Sequence, residues 1–234
     1  MLDSLYAKTF LILGSQLGAT WLSTVVLLSV FRRLCHSRVV WVSGTIDAGG
    51  NLDMALDWDA VKPYFWGLLA ADIAVFLALL HFGQSNLLIG IPLFTFWSML
   101  TGIELALCLV AVDENLGAKV LALTALITCS AALVGTRSGI DFSFLEEGLL
   151  AALLILVGVG IVRILYTMQR WAQRLWASFG TIVFTGYLLY DFQRLGQQNA
   201  DAGVNTWSTA MSLSIEIYLD VVNLFLLLLD FTDT

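Results

Sequence analysis

Charge is scarce in this chain. Asp, Glu, Lys and Arg supply 12% of its 234 residues, against about a quarter in a typical soluble domain, so a surface that faces water on every side cannot be assembled from it. Basic residues are scarcer still. The 11 Lys and Arg face 18 Asp and Glu, for a net charge of −7, and a nucleic-acid partner, which needs clustered cations to neutralise phosphates, is excluded. Cations are the natural guests of such a chain. Cys35, Cys108 and Cys129 are too few and too far apart for a disulfide framework or a thiolate metal site, and read as small packing residues. His36 and His81 fall at the edges of apolar runs, as interfacial residues do. Missing too are the Gly-x-Ser-x-Gly, His-Glu-x-x-His, P-loop and dinucleotide fingerprints, so no cofactor is expected. No internal repeat or low-complexity tract marks a repeat-built transporter.

What is there is apolar. The 59% of residues in this class fall into long runs divided by short polar gaps, and a helix crossing a bilayer core needs about 20 of them in succession. The runs predict an all-α, polytopic membrane protein with a single transmembrane domain over 1–234 and spans at 9–31, 64–82, 87–111, 117–136, 145–167, 173–191 and 207–229. The first run ends in Phe31-Arg32-Arg33 without a small-residue cleavage signal, so it is expected to remain as a span. Residues 32–63 join Arg32, Arg33 and Arg38 to a Gly49-Gly50-Asn51 turn and to Asp47, Asp53, Asp57 and Asp59, which reads as a solvated loop. Pro63 then opens the second span in its first turn. Lys62, Lys119, Arg170 and Arg174 lie on the side of that loop, and Lys8, Arg137 and Arg194 on the other, a bias that orients the amino terminus outward. Trp41, Trp58, Trp66, Trp171, Trp176 and Trp207 stand near span ends as an aromatic belt. Gly158, Gly160, Gly180 and Gly186 suit close helix packing.

An ionisable side chain inside an apolar run costs several kcal/mol unless paired, neutralised or hydrated, which makes each one a candidate for function. The runs hold Asp72, Glu104, Asp191, Glu216 and Asp220, with Arg163 as their one clear base. In the last run Glu216, Asp220 and Asn223 stand four and three residues apart and share one helix face. Two carboxylates one turn apart in a low dielectric cannot both ionise cheaply. Asp191, preceded by Tyr187 and Tyr190, reads as a residue turned toward the bundle. Facing Asp220 across two helices, it would share a proton or trap a cation. Asn223 is expected to bond a neighbouring helix, and Glu216, Glu104 and Asp72 to line an ion path. Glu146 and Glu147 suit a helix amino terminus.

The run Gly180-Thr-Ile-Val-Phe184, Gly186-Tyr-Leu-Leu-Tyr-Asp191-Phe-Gln193-Arg-Leu195, followed by Glu216-Ile-Tyr218-Leu219-Asp220-Val-Val-Asn223-Leu224-Phe225, resembles the carboxyl-terminal signature of the transmembrane Bax inhibitor motif family. Asp141-Phe142-Ser143-Phe144-Leu145 is similar to a further segment of that family. The first two spans match in hydropathy alone. The resemblance implies helices bundled around a central last helix, and a pH-sensitive calcium leak. It also implies a hydrogen-bonded pair of aspartates as proton sensor, Asp191 and Asp220 here, with calcium as the ion they meet. Some bacterial relatives latch this pair with an Arg on the second span. This chain has no Arg between residues 64 and 82 and offers Asp72 and His81 instead, with Arg163 as a distant substitute.

Two other readings stand beside the channel. An intramembrane aspartyl protease also sets two carboxylates on adjacent helices, but it carries Gly-x-Gly-Asp where this chain has Ile217-Tyr218-Leu219-Asp220, so no enzyme is expected. A non-conducting regulator or accessory subunit, bound to a membrane protease or larger complex, would need the acids only as structural polar contacts. The expected partners are thus the lipid bilayer, calcium and protons, with a membrane protein as partner in the last reading.

Overall fold

The computed structural model describes residues 3–36, 42–46, 52–83, 86–110, 112, 114–166, 168–201 and 203–233. It is all-α apart from one hairpin. The helices are α1 (Leu5–His36), α2 (Trp58–Ala78), α3 (Leu87–Leu109), α4 (Glu114–Arg137), α5 (Glu146–Leu165), α6 (Arg170–Asn199) and α7 (Trp207–Asp233). A π turn, Leu79–Gly83, extends α2, and a 3-10 turn, Ser143–Leu145, leads into α5. Six of the described helices, all except α6, are long and apolar enough to cross a bilayer, and the chain is an integral, multi-pass membrane protein. At 30 residues α6 is long enough, but Arg170, Arg174, Asp191, Gln193 and Arg194 dilute its apolar content below that of its neighbours. It runs well beyond the expected end at 191.

Packing divides the chain into two compact units, Met1–Phe10 with Asn115–Thr234, and Leu11–Glu114. The first holds α4 to α7 and the opening turns of α1. Its core is α7, where Met211, Leu213, Ile215, Ile217, Tyr218 and Leu224 are all but fully buried. Close approach of α6 to α7 depends on Gly180, where an added Cβ would fall 2.7 Å from Leu227 Cδ1. Gly186 serves α5 in the same way, with Leu149 Cδ2 at 2.8 Å. Gly158 and Gly160 do not follow this expectation: a Cβ at Gly158 meets nothing within 4 Å, and one at Gly160 only the far edge of Trp176. The start of α1 is tied in by Lys8 Nζ, which donates to Asn205 O and Oδ1, each at 2.9 Å, and by the Ser214 hydroxyl, which donates to Thr9 O.

In the second unit polar side chains join α1 to α3. Gln16, buried, donates to Thr95 Oγ1 at 3.2 Å and accepts from Ser98 Oγ at 3.2 Å, while Thr24 Oγ1 donates to Gly102 O at 2.9 Å. Such bonds between spans are worth about 0.6 kcal/mol each. Residues 32–63 are not simply a solvated loop. Here β1 (Val42–Ile46) pairs antiparallel with β2 (Leu52–Leu56), Val42 opposite Leu56 and Gly44 opposite Met54. Val42 and Met54 are buried against Phe31 and Val110, with Leu56 and Leu107 around them. Alternation of Leu52, Met54 and Leu56 with Asp53 and Ala55 is the period-two pattern of a half-buried strand. The expected Gly49-Gly50-Asn51 turn lies outside the described residues. Pro63 does not open the second helix either: α2 begins at Trp58, capped by Asp57, whose Oδ1 accepts from Asp59 N at 3.2 Å. Pro63 therefore lies inside α2, where it removes one backbone donor.

Candidate functional site: the buried acids of the last two helices

Helix α6 continues to Asn199, so Asp191 sits inside a helix rather than at its end. Contacts of Gly180 with Leu227, of Asp191 with Asp220 and of Arg194 with Glu216 descend along α7 as they ascend along α6, which makes the two helices antiparallel. In that register a step of three forward from Asp191 meets a step of four back from Asp220, and each step keeps to one helix face. Two polar layers result. The first is Asp191 with Asp220, 5% and 6% exposed, their carboxyl groups within hydrogen-bonding reach of each other. Asp220 Oδ2 is buried and has no hydrogen-bond partner. The second layer is Arg194 Nη1 on Glu216 Oε2 at 2.8 Å, with side chains 40% and 35% exposed. Ser212 adds a hydroxyl beside Glu216, and Tyr187 lies next to both aspartates.

A hydrogen bond between two carboxyl groups exists only while at least one holds a proton, because two bare carboxylates offer acceptors alone. Two such groups can therefore bond only while they share a proton, and bare they repel. At an effective dielectric of about 20, two unit charges about 4 Å apart repel by about 4 kcal/mol.

The same stretch of α6 is held from its other side. Phe142 N donates to Gln193 Oε1 at 2.6 Å, Gln193 Nε2 donates to Asp141 Oδ1 at 3.1 Å, and Tyr190 bonds Glu146. Asp141 lies outside the spans. Hydrogen bonds from the Ser143 backbone N–H, the Ser143 hydroxyl and Gln193 hold its carboxyl below the usual aspartate range.

The remaining candidates are placed as follows. Asp72 on α2 and Glu104 on α3 face each other in the second unit, with Trp97 and Thr101 as the polar neighbours of Asp72. Asp72 Oδ1 and Glu104 Oε1 are buried without a hydrogen-bond partner. Arg163 on α5 goes to Asp230 near the end of α7, in two parallel bonds of 2.7 and 3.0 Å, with its guanidinium 4.6 Å from the Trp176 ring centroid. Asn223 does not reach a neighbouring helix: its Nδ2 turns back to Leu219 O at 2.8 Å. His81, exposed, stands edge-on to Phe82 at the π turn. Among the described residues no group of three or more His, Cys, Asp or Glu could hold a metal ion.

Partners that sequence spacing did not assign are Arg194, Gln193, Asp141 and Asp230. Arg194 carried a local signal, since it stands one turn from Asp191. Asp141 and Gln193 carried none for each other.

A multi-span helical membrane protein with a paired carboxyl site between its last two helices is the class these features define. The family model described as "Inhibitor of apoptosis-promoting Bax1" matches residues 2–233, and the chain belongs to this Bax inhibitor family. Similar proteins include Protein LIFEGUARD 3 of Arabidopsis thaliana, 32% identical over 93 residues, and a BI1-like protein of the same plant, 31% identical over 93 residues. Each match covers 40% of this chain, which spans only 35% and 34% of those relatives. An uncharacterized membrane protein of Streptococcus pyogenes serotype M1 is 24% identical over 232 residues, 97% of this chain and 91% of that one.

Proposed function

We propose that this protein is a pH-sensitive calcium leak, in which protonation of the Asp191 and Asp220 pair sets the balance between closed and open arrangements of α6 and α7. The observation that carries the reading is the contact of two nearly fully buried carboxyl groups from adjacent helices. With the shared proton in place the helices are bonded. Without it they repel, and a population shift follows from the difference in free energy between the two states. Ion passage is assigned to carboxylates, which favour cations over anions: within the first unit to Glu216, and within the second, taken by itself, to Glu104 and Asp72. Arg194 offsets the charge of Glu216, and an entering cation competes with it. No catalytic step is assigned to any residue. Membership of the Bax inhibitor family, whose match extends over nearly the whole chain, supports the reading through the resemblance of its last two helices.

The alternative is a non-conducting regulator of another membrane protein, in which the aspartate pair is an interhelical lock. One experiment separates the two. The purified protein is reconstituted into liposomes loaded with a calcium dye, and influx is followed between about pH 5 and pH 8. Influx that varies with pH supports the leak. Absence of influx at every pH sinks it and leaves the lock.

A further inference from the structure

Two residues along an α-helix amount to about 200° of rotation, so Gln193 leaves α6 on the side roughly opposite Asp191. It is buried, 9% exposed, and it uses both ends of its amide on the connection between α4 and α5. Its Oε1 accepts from Phe142 N at 2.6 Å and its Nε2 donates to Asp141 Oδ1 at 3.1 Å. Asp141 Oδ1 also accepts from Ser143 N at 3.0 Å, and Phe142 is buried. The end of α4 closes on the same turn. A Cβ at Gly135 would meet Leu189 O at 2.7 Å, Phe192 Cβ at 2.9 Å and Gln193 N at 3.1 Å. The single turn 189–193 thus carries Asp191 toward α7 on one side and is gripped by the α4–α5 connection on the other.

We propose that Gln193 is a positioning residue of the aspartate pair: by holding the Asp141-Phe142 turn with both ends of its amide, it fixes the rotation of α6 that presents Asp191 to Asp220. The proposal rests on the reading of that pair as a proton sensor and makes the α4–α5 connection its support. Hydrogen bonds tolerate only about half an ångström of lengthening before they weaken steeply, so a small rotation of this turn separates the two carboxyls. The charged and titratable groups around the turn are Asp141 on the connection, Glu146 on α5, Tyr187, Tyr190 and Arg194 on α6, Glu216 and Asp220 on α7, and Tyr6 of α1, whose hydroxyl lies 3.1 Å from a Cβ placed on Gly196.

The test exchanges donor for acceptor. Gln193→Met keeps the volume and loses both bonds. Gln193→Glu keeps the bond from Phe142 N but sets one carboxylate against another at Asp141. Gln193→Glu with Asp141→Asn restores the bond in reverse, the new amide donating to the new carboxylate, and keeps the net charge of the natural protein. The readout is the carboxylic-acid carbonyl band in infrared difference spectra of the full chain in liposomes, titrated between about pH 5 and pH 8, with Asp191→Asn and Asp220→Asn as references. The band that disappears in both references reports the pair directly and needs no transport.

We expect Gln193→Met and Gln193→Glu to shift its midpoint by about one pH unit and the double variant to bring it back. If the band titrates in the natural protein but its midpoint stays fixed in Gln193→Met, the positioning role is wrong while the sensor stands. If no band is lost in the aspartate references, the sensor reading fails and the proposal falls with it.

Discussion

Arg163 and Asp230 give the account its most quantitative test. They join α5 to α7 by two parallel bonds, Nη1 to Oδ2 at 2.7 Å and Nη2 to Oδ1 at 3.0 Å, and the side chains are 24% and 26% exposed. An exposed pair of this kind is worth about 0–1 kcal/mol, whereas removing one partner of a buried pair costs about 3–5 kcal/mol. Partial exposure puts this pair between the two limits. Asp230→Asn leaves a guanidinium facing a neutral acceptor in an apolar setting, and we expect it to cost about 2 kcal/mol. Arg163→Gln takes the paired cation from Asp230 and should cost about the same. The double variant orphans no charge, so its loss should fall short of the sum by about 1 kcal/mol or more. The assay is reversible unfolding in mixed micelles with rising fractions of sodium dodecyl sulfate, read by tryptophan fluorescence. Losses that add to within about 0.5 kcal/mol would show that the two groups are neighbours without being partners, and would refute the reasoning.

Other outcomes follow from the same geometry. Gly135→Ala forces α4 away from backbone atoms of α6 and should destabilise by about 1–3 kcal/mol, while Gly14→Ala, with nothing within 4 Å, should be neutral or stabilising by up to about 1 kcal/mol; the same unfolding assay reads both. Asp141 is held below its ordinary value by Ser143 and Gln193, and a depressed folded-state pKa adds stability above the unfolded value that is lost as pH falls through the folded one. Asp141→Asn should therefore cost stability at neutral pH, and the natural protein and the variant should converge in acid below about pH 4. Glu104→Gln should lower calcium influx without removing its pH dependence, as a carboxylate on the ion path but outside the sensor would; an unchanged influx would remove Glu104 from the path.

Long apolar runs made most of the helices legible, because a spanning helix must be apolar over its whole length. The limits of α6 were not, since its apolar run stops near Asp191 while its helix goes on through Gln193, Arg194 and Asn199. That extension is what lets Arg194 meet Glu216. The hairpin Val42–Ile46 with Leu52–Leu56 was obscured by the acids around it, which outweigh a short alternating pattern in any loop reading. Asp191 and Asp220 were visible as candidates through their motifs, but their contact is a matter of antiparallel register between α6 and α7, which no local pattern encodes. Asp230 lay just past the expected end of the last span at 229, so Arg163 had no partner in view. The pairing of Gln193 with Asp141 crosses 52 positions, and nothing in either segment points to the other.

The measurement that reaches the central claim most directly is the pH dependence of calcium influx in liposomes carrying Asp191→Asn or Asp220→Asn, beside the natural protein in the same lipid. A shared proton belongs to the pair rather than to either residue, so the account predicts that each single variant abolishes the pH response. Influx that keeps its full pH response in both variants would place the sensor elsewhere and contradict the account.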